Sequence, residues 1–302
     1  MTRNKMSNDG KYFTTGGIIV TGCSRGIGEA IALELCKLNQ NIIISGRNRK
    51  DLMSVAIKCN DKNPKSKCIP VAGDVTDSKH LKRLVDVCVQ KFGSINSIVC
   101  NAGTAEPLGP MSDITKEGFQ HIFNVNVVQS FELYKFARLE LLRNKGRIIN
   151  ISSGASVTAL PGGTPYSTTK AALNMLSAGI RSEGVDCIAL RPGSVDTPML
   201  RKNLDPDTNA RLQKGKAVGT DENGFALAVK NAYADGTVLN ASQPGRAIAV
   251  LAATIKWPDD IYEDTAVNIK SATIKSGEKN SKTKPIVKNW NDPEIGDMVS
   301  KI

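Results

Sequence analysis

The sequence predicts an α/β fold: one doubly wound domain on a mostly parallel sheet of about seven strands, with helices on both faces. Three observations predict it. Short β-branched runs alternate with helix-period segments, glycines cluster where the first run meets the first helix, and the chemically distinctive side chains fall just after strands. In such a sheet the C-terminal strand ends line one crevice, so those side chains share a rim.

The first run, GGIIVTG at 16–22, is apolar and β-branched, as a buried strand requires. The segment after it places Ile27, Ala30, Ile31 and Leu35 at helical spacing. Gly22, Gly26 and Gly28 stand at the junction as GxxxGxG. Glycines here let the backbone approach a pyrophosphate, and the helix N-terminus offers free N–H groups; a tight turn alone would also explain them. The second strand, 41–45, runs into Gly46 and Arg47. An acid at this place accepts from a ribose hydroxyl, whereas an arginine accommodates a 2′-phosphate. With Arg47 here and Arg25 in the glycine turn, the reading is NADP(H). The plainer alternative is that Arg47 opens a solvated helix.

A helix near 49–60 leads to a third strand in CIPVAGDV, with Asp74 just past it as ligand contact or turn cap. Helix 78–91 and strand 94–100 follow, the latter ending in Asn101-Ala102-Gly103. Residues 113–143 read as one helical region, in which Asn126 interrupts an apolar face of Ile122, Phe123, Val125 and Phe131. A buried amide must be hydrogen-bonded, so Asn126 is either a structural clamp or part of a site. Strand 146–153 delivers Ser153, helix 165–184 carries Tyr166 and Lys170, and strand 185–193 follows. Residues 196–218 read as a mobile flap, 219–245 as a linker, and 242–256 as a last apolar-faced helix.

Tyr166 and Lys170 are four apart, which puts them on one helix face. A phenol loses its proton near pH 10, and a neighbouring cation pulls that value down. Hydride addition to a carbonyl leaves an oxyanion that must be protonated, so Tyr166 is the candidate acid. Ser153 is placed to hold the same oxygen. By itself, a Tyr and a Lys at helical spacing carries little weight; the surrounding residues give it meaning.

Composition narrows the classes. The seven cysteines lack CxxC spacing and read as buried hydrophobes in a reducing compartment, hence a cytoplasmic protein. His80 and His121 are the only histidines, so no histidine-rich metal site is expected. No apolar run reaches the roughly 20 residues of a membrane-spanning helix. The net charge of +11 suggests nucleic acid, but Lys270, Lys275, Lys279, Lys282, Lys284 and Lys288 are concentrated in one segment without aromatics to stack bases. The lysine-rich stretch 264–288 reads as a solvated insert, and residues 1–15 as a disordered arm.

Taken together, Thr21 to Gly28 (TGCSRGIG), Asp74, Asn101-Ala102-Gly103, Asn126, the Ser153/Tyr166/Lys170 set and Pro192 to Thr197 (PGSVDT) resemble the short-chain dehydrogenase/reductase family over residues 17–200. The resemblance implies a Rossmann-type domain in which Tyr166 is the general acid/base. Lys170 holds the nicotinamide ribose and lowers the tyrosine pKa, Ser153 binds the substrate oxygen, and Asn126 anchors a proton-relay water. It assigns Ser24, Arg25, Ile27, Arg47, Asp74, Asn101, Val195 and Thr197 to the cofactor, alongside Gly22, Tyr166 and Lys170. ALRPGSVDTPM and the tail NWNDPE look like the fungal benzil-reductase-like and sepiapterin-reductase-like branch. Cys100 stands where the family usually has Asn, and the long inserts put the last strand at about 285–290. Family members pair through the helices near 113–143 and 165–184, which implies a homodimer or homotetramer. The implied activity is NADPH-dependent reduction of a small-molecule ketone or diketone. The alternatives are an NADP+-dependent alcohol dehydrogenase or a non-catalytic NADP(H)-binding regulator.

Overall fold

The structure, a computed structural model, describes residues 12–160, 162–202, 204–208, 225–257 and 287–289, with 225–228 and 287–289 described by backbone alone. Strands β1 (Gly17–Val20), β2 (Asn41–Gly46), β3 (Cys68–Ala72), β4 (Ile95–Cys100), β5 (Arg147–Ile151), β6 (Asp186–Arg191) and β7 (Val287–Asn289) form one sheet. Their order is β3-β2-β1-β4-β5-β6-β7, and every pairing is parallel. The chain winds outward from β1 through β2 and β3, then restarts at β4 on the other side of β1. That reversal opens the crevice above β1 and β4 where such sheets bind ligands. The strand expected at 285–290 is β7.

The helices are α1 (Gly26–Lys37), α2 (Arg49–Lys62), α3 (Ser78–Phe92), α4 (Lys116–Phe123), α5 (Gln129–Asn144), α6 (Thr164–Ser182), α7 (Pro198–Lys202), α8 (Phe225–Ala234) and α9 (Ser242–Ala253). Alternation along the strands builds two cores. Ile18, Val20, Ile42, Ile44, Val99 and Ile149 face α1, α2 and α9, whereas Ile19, Ile43, Ile95, Ile98 and Ile148 face α3, α5 and α6. Each fully buried isoleucine contributes about 1.5–3 kcal/mol, so covering both faces is what holds the sheet. Helix α9 can lie against α1 because its contact residue is Gly245; a Cβ there would come within 2.6 Å of the Ala30 Cβ. Side-chain caps fix several helix starts: Asn48 accepts from Lys50 and Asp51 N–H, Asp77 from Lys79, and Thr115 from Gly118.

Three expectations are corrected. The region 113–143 is two helices, α4 and α5, joined by one π-helical turn at Asn124–Val128 that contains Asn126. Such turns widen the backbone ladder and let a buried polar group turn inward. Residues 12–15 are not a disordered arm: Tyr12 bridges Thr254, and Phe13 is 3 % exposed with its N–H on the Ala253 carbonyl. The Arg147 guanidinium lies over the Phe13 ring at 5.6 Å and over Trp257 at 4.6 Å, which explains why that segment is held. The linker 219–245 contains α8, and the flap 196–218 begins with α7, whose first turn is closed by Leu200 N–H on Thr197 Oγ1. Residues 1–11, 203, 209–218 and 264–286 of the arm, flap and lysine-rich insert lie outside the described residues.

Candidate active site

The glycine turn is determined by two kinds of constraint. Gly22 and Gly26 have φ of +71° and +64°, a region side chains rarely enter. Gly28 has ordinary φ, but a Cβ on it would fall 2.3 Å from the Gly22 carbonyl oxygen, so only hydrogen fits. Thr21 locks the turn to β4: its hydroxyl accepts from Asn101 N–H at 3.1 Å and Ala102 N–H at 3.0 Å, and donates to Gln129 at 2.9 Å. Asn101 closes the knot by donating to the carbonyls of Thr21 (2.9 Å) and Gly22 (3.1 Å). Gln129 in turn donates to the Ala102 carbonyl at 2.6 Å.

Thr21 and Gln129 carry the site's scaffold; the sequence marks Thr21 only as the first residue of the glycine motif and does not mark Gln129. The available signal was a buried-type amide three residues after Asn126 on the same apolar helix.

At the reacting end, Ser153 and Tyr166 face one another within hydrogen-bonding reach. Ser153 sits two residues past the end of β5 and caps the following turn through Ala155 N–H. Tyr166 lies in the first turn of α6, and Lys170 one turn later is 5 % exposed. The Lys170 Nζ donates to the Ile151 carbonyl at 2.7 Å and lies 5.5 Å from the Tyr166 ring centre. A Cβ on Gly103 would meet Asn126 Oδ1 at 3.4 Å and Lys170 Nζ at 3.7 Å, so that glycine leaves the space into which both project.

The expected depression of the Tyr166 pKa by Lys170 is corrected. Burial pushes the phenol above 10, with the Ser153 hydrogen bond pulling the other way. Burial also lowers Lys170 to about 8, and one of its N–H groups donates to the Ile151 carbonyl. Tyr166 therefore stays a neutral phenol at pH 7, the form that can donate a proton.

The remaining residues expected at the cofactor lie along the same rim. Ser24 is half-buried and its Oγ has no hydrogen-bond partner; it sits where a Cβ on Gly46 would reach it at 2.4 Å. Arg25 and Arg47 are exposed, and neither forms an ion pair among the described residues. Asp74 takes the turn-cap geometry, accepting from Thr76 N–H at 2.9 Å and Thr76 Oγ1 at 2.8 Å. Burial raises its pKa, but the Thr76 bonds and the Arg47 and His121 charges together bring it below the usual carboxylate value. Ile27 packs against the α1 core. Val195 bridges Leu239, and Thr197 reaches across to the glycine turn, where its methyl would lie 3.3 Å from a Cβ on Gly26.

The sequence model of the short chain dehydrogenase family matches residues 17–208, more than half of the chain. The chain belongs to this family. An uncharacterized oxidoreductase of Schizosaccharomyces pombe is 33 % identical over 237 residues, covering 78 % of this chain and 90 % of that protein. The hydroxynaphthalene reductase-like protein Arp2 of Metarhizium acridum is 32 % identical over 192 residues, 61 % of this chain and 70 % of its own. Among solved structures, a short chain dehydrogenase/reductase from Saccharomyces cerevisiae superposes with a TM-score of 0.76 at 25 % identity, covering 94 % of this chain and 99 % of that one.

Short chain dehydrogenases bind a nicotinamide cofactor, and the residues present fit one. The glycine turn leaves room for a pyrophosphate against the start of α1, where Ser24 carries an unsatisfied hydroxyl. Arg25 and Arg47 are uncommitted cations beside it.

Two contacts tie together the loops that follow the strand ends. The Gly109 N–H donates to the Gly162 carbonyl at 2.8 Å, tying 104–112 to 154–164. Lys202 on α7 pairs with Glu106 at 2.8 Å. Their charges cancel, so neither presents a free ion to a substrate. Among the described residues no group of His, Cys, Asp and Glu is arranged to hold a metal, and no helix is long and apolar enough to cross a membrane.

Proposed function

We propose that this short chain dehydrogenase is an NADPH-dependent reductase of neutral ketones or diketones. The observation that carries the reading is the Ser153–Tyr166 pair at the mouth of the crevice, with Tyr166 held protonated by burial. A bound nicotinamide supplies the hydride. Tyr166 gives its phenolic proton to the substrate oxygen, and Ser153 donates a hydrogen bond to that oxygen and orients the carbonyl. Lys170, anchored on Ile151, lies behind the phenol and holds the ribose end of the cofactor. Asn126 fixes the Thr104 backbone and Thr169, so the wall facing Lys170 keeps its shape.

Two exposed arginines, Arg25 in the glycine turn and Arg47 just past β2, with the lone Ser24 hydroxyl next to Gly46, support NADP(H) over NAD(H), because a 2′-phosphate needs cations and donors. All seven cysteines are free and buried, which suits a reducing compartment such as the cytoplasm. Phe131, Leu139 and Leu142 on α5 and Met175 on α6 are exposed apolar residues, in keeping with a homo-oligomer formed through these helices. Mixing the protein with NADPH, or NADH, and a panel of aromatic diketones, ketones and aldehydes tests the reading through loss of nicotinamide absorbance. Turnover preferring NADPH is expected. Tight cofactor binding with no turnover across the panel, and no oxidation of the matching alcohols, would favour a regulator instead.

A further inference from the structure

The seven cysteines are not equivalent. Among the described residues Cys23, Cys88, Cys100 and Cys187 have no thiol as a hydrogen-bond partner, and burial pushes each of their pKa values up. Cys36, Cys59 and Cys68 instead converge from three elements: the last turns of α1 and α2 and the first residue of β3. All three are buried in the same core cluster, close enough that each thiol perturbs the other two.

Local geometry holds the three in place. Asn60 grips the Cys68 backbone from both sides, accepting its N–H at 2.9 Å and donating to its carbonyl at 3.3 Å. Asn63 donates to the Cys36 carbonyl at 2.7 Å, and the Ser66 hydroxyl lies 3.3 Å from the Cys36 sulfur. The neighbouring Cys59 and Cys68 thiols outweigh burial and lower the Cys36 pKa, whereas the Cys68 pKa is raised. Cys68 also lines a surface dent with Asn60, Pro64, Ser66, Lys67 and Ile69, so the cluster, with Cys36 and Cys59 fully buried, has one edge at this dent.

We propose that Cys36, Cys59 and Cys68 form an oxidation site at which a peroxide closes a disulfide between Cys36 and one of the other two. The Cys36 thiolate attacks a peroxide oxygen; the O–O bond breaks, water leaves, and the sulfur becomes a sulfenic acid. A neighbouring thiol then attacks that sulfur, the S–O bond breaks, an S–S bond forms and a second water leaves. Two thiols lose two electrons and one peroxide becomes two waters. The cluster lies where α1 and α2 end and β3 begins, at the opposite end of the sheet from Ser153 and Tyr166, so the bridge leaves turnover in place.

The test treats the reduced full-length protein with hydrogen peroxide, alkylates the remaining thiols and maps digested peptides by mass spectrometry. The expected result is loss of two of the seven free thiols and a bridged peptide joining Cys36 to Cys59 or Cys68, both reversed by dithiothreitol. Cys88→Ser keeps the bridge, and Cys36→Ser abolishes it. Seven thiols surviving in wild type, or equal oxidation of Cys23, Cys88, Cys100 and Cys187, overturns the proposal. A bridge between other cysteines in native wild type overturns it equally, whatever the folding of Cys36→Ser.

Discussion

Asn126 holds Thr104 by both of its backbone groups: the Thr104 N–H donates to Asn126 Oδ1 at 2.9 Å, and Asn126 Nδ2 donates back to the Thr104 carbonyl at 2.9 Å. A third bond reaches the Thr169 hydroxyl at 2.9 Å, one residue before Lys170. One amide thus ties the loop after β4 to the helix carrying the reacting side chains. Asn126→Ala leaves two part-buried backbone groups unpaired and is expected to cost about 2 kcal/mol, read as a lower urea midpoint at unchanged slope. Wild-type stability in this variant would show that the loop does not depend on the clamp.

Lys170 supplies a pH signature. Burial holds its folded pKa near 8, below the 10.5 of an exposed lysine. Between those values the unfolded chain binds more protons, so the native state gains stability as pH rises from about 8 to about 10.5. Relative to Lys170→Met, whose buried side chain does not titrate, wild type should gain roughly 3 kcal/mol across that window. Parallel stability curves for the two proteins would place the charge of Lys170 in water.

Arg47→Asp reverses the charge beside the second strand's end. The expected outcome is a fall in kcat/KM for NADPH of at least about tenfold, about 1.4 kcal/mol, with NADH gaining relative to it. Unchanged preference would remove Arg47 from cofactor choice and leave Arg25 as the cation to examine.

Gly28→Ala tests the close approach in the glycine turn. Its methyl would meet the Gly22 carbonyl at 2.3 Å, so the turn must open. Loss of cofactor binding, measured by fluorescence of the bound reduced nicotinamide, is expected with the far-ultraviolet circular dichroism retained. Full binding would mean that the turn has slack the geometry denies it.

Most of the architecture was readable because both physical codes were strong. β-Branched runs such as NIIIS marked strands buried on two faces, and the segments between them kept helical spacing, so β1 to β6 and the last strand fell within a few residues of expectation. Where several residues had to agree, the code was silent. Nothing local in ELYKFARLELL and the residues before it signals the π-turn at Asn124–Val128, because that turn is set by what Asn126 must reach. Phe13 read as part of a loose arm since its partners, Arg147 and Trp257, lie more than a hundred residues away. The site residues were legible as types at strand ends. Their electrostatics were not, since the burial of Lys170 and Tyr166 and the Lys170 bond to the Ile151 carbonyl depend on packing.

Tyr166→Phe removes one oxygen, the proposed proton donor, from a side chain whose ring stays in place. NADPH affinity and the rate of carbonyl reduction are measured on the same preparation. Cofactor binding within about twofold of wild type and turnover reduced on the order of 10²–10⁴-fold are expected. Turnover close to wild type would contradict that role and hand the proton to another group in the crevice.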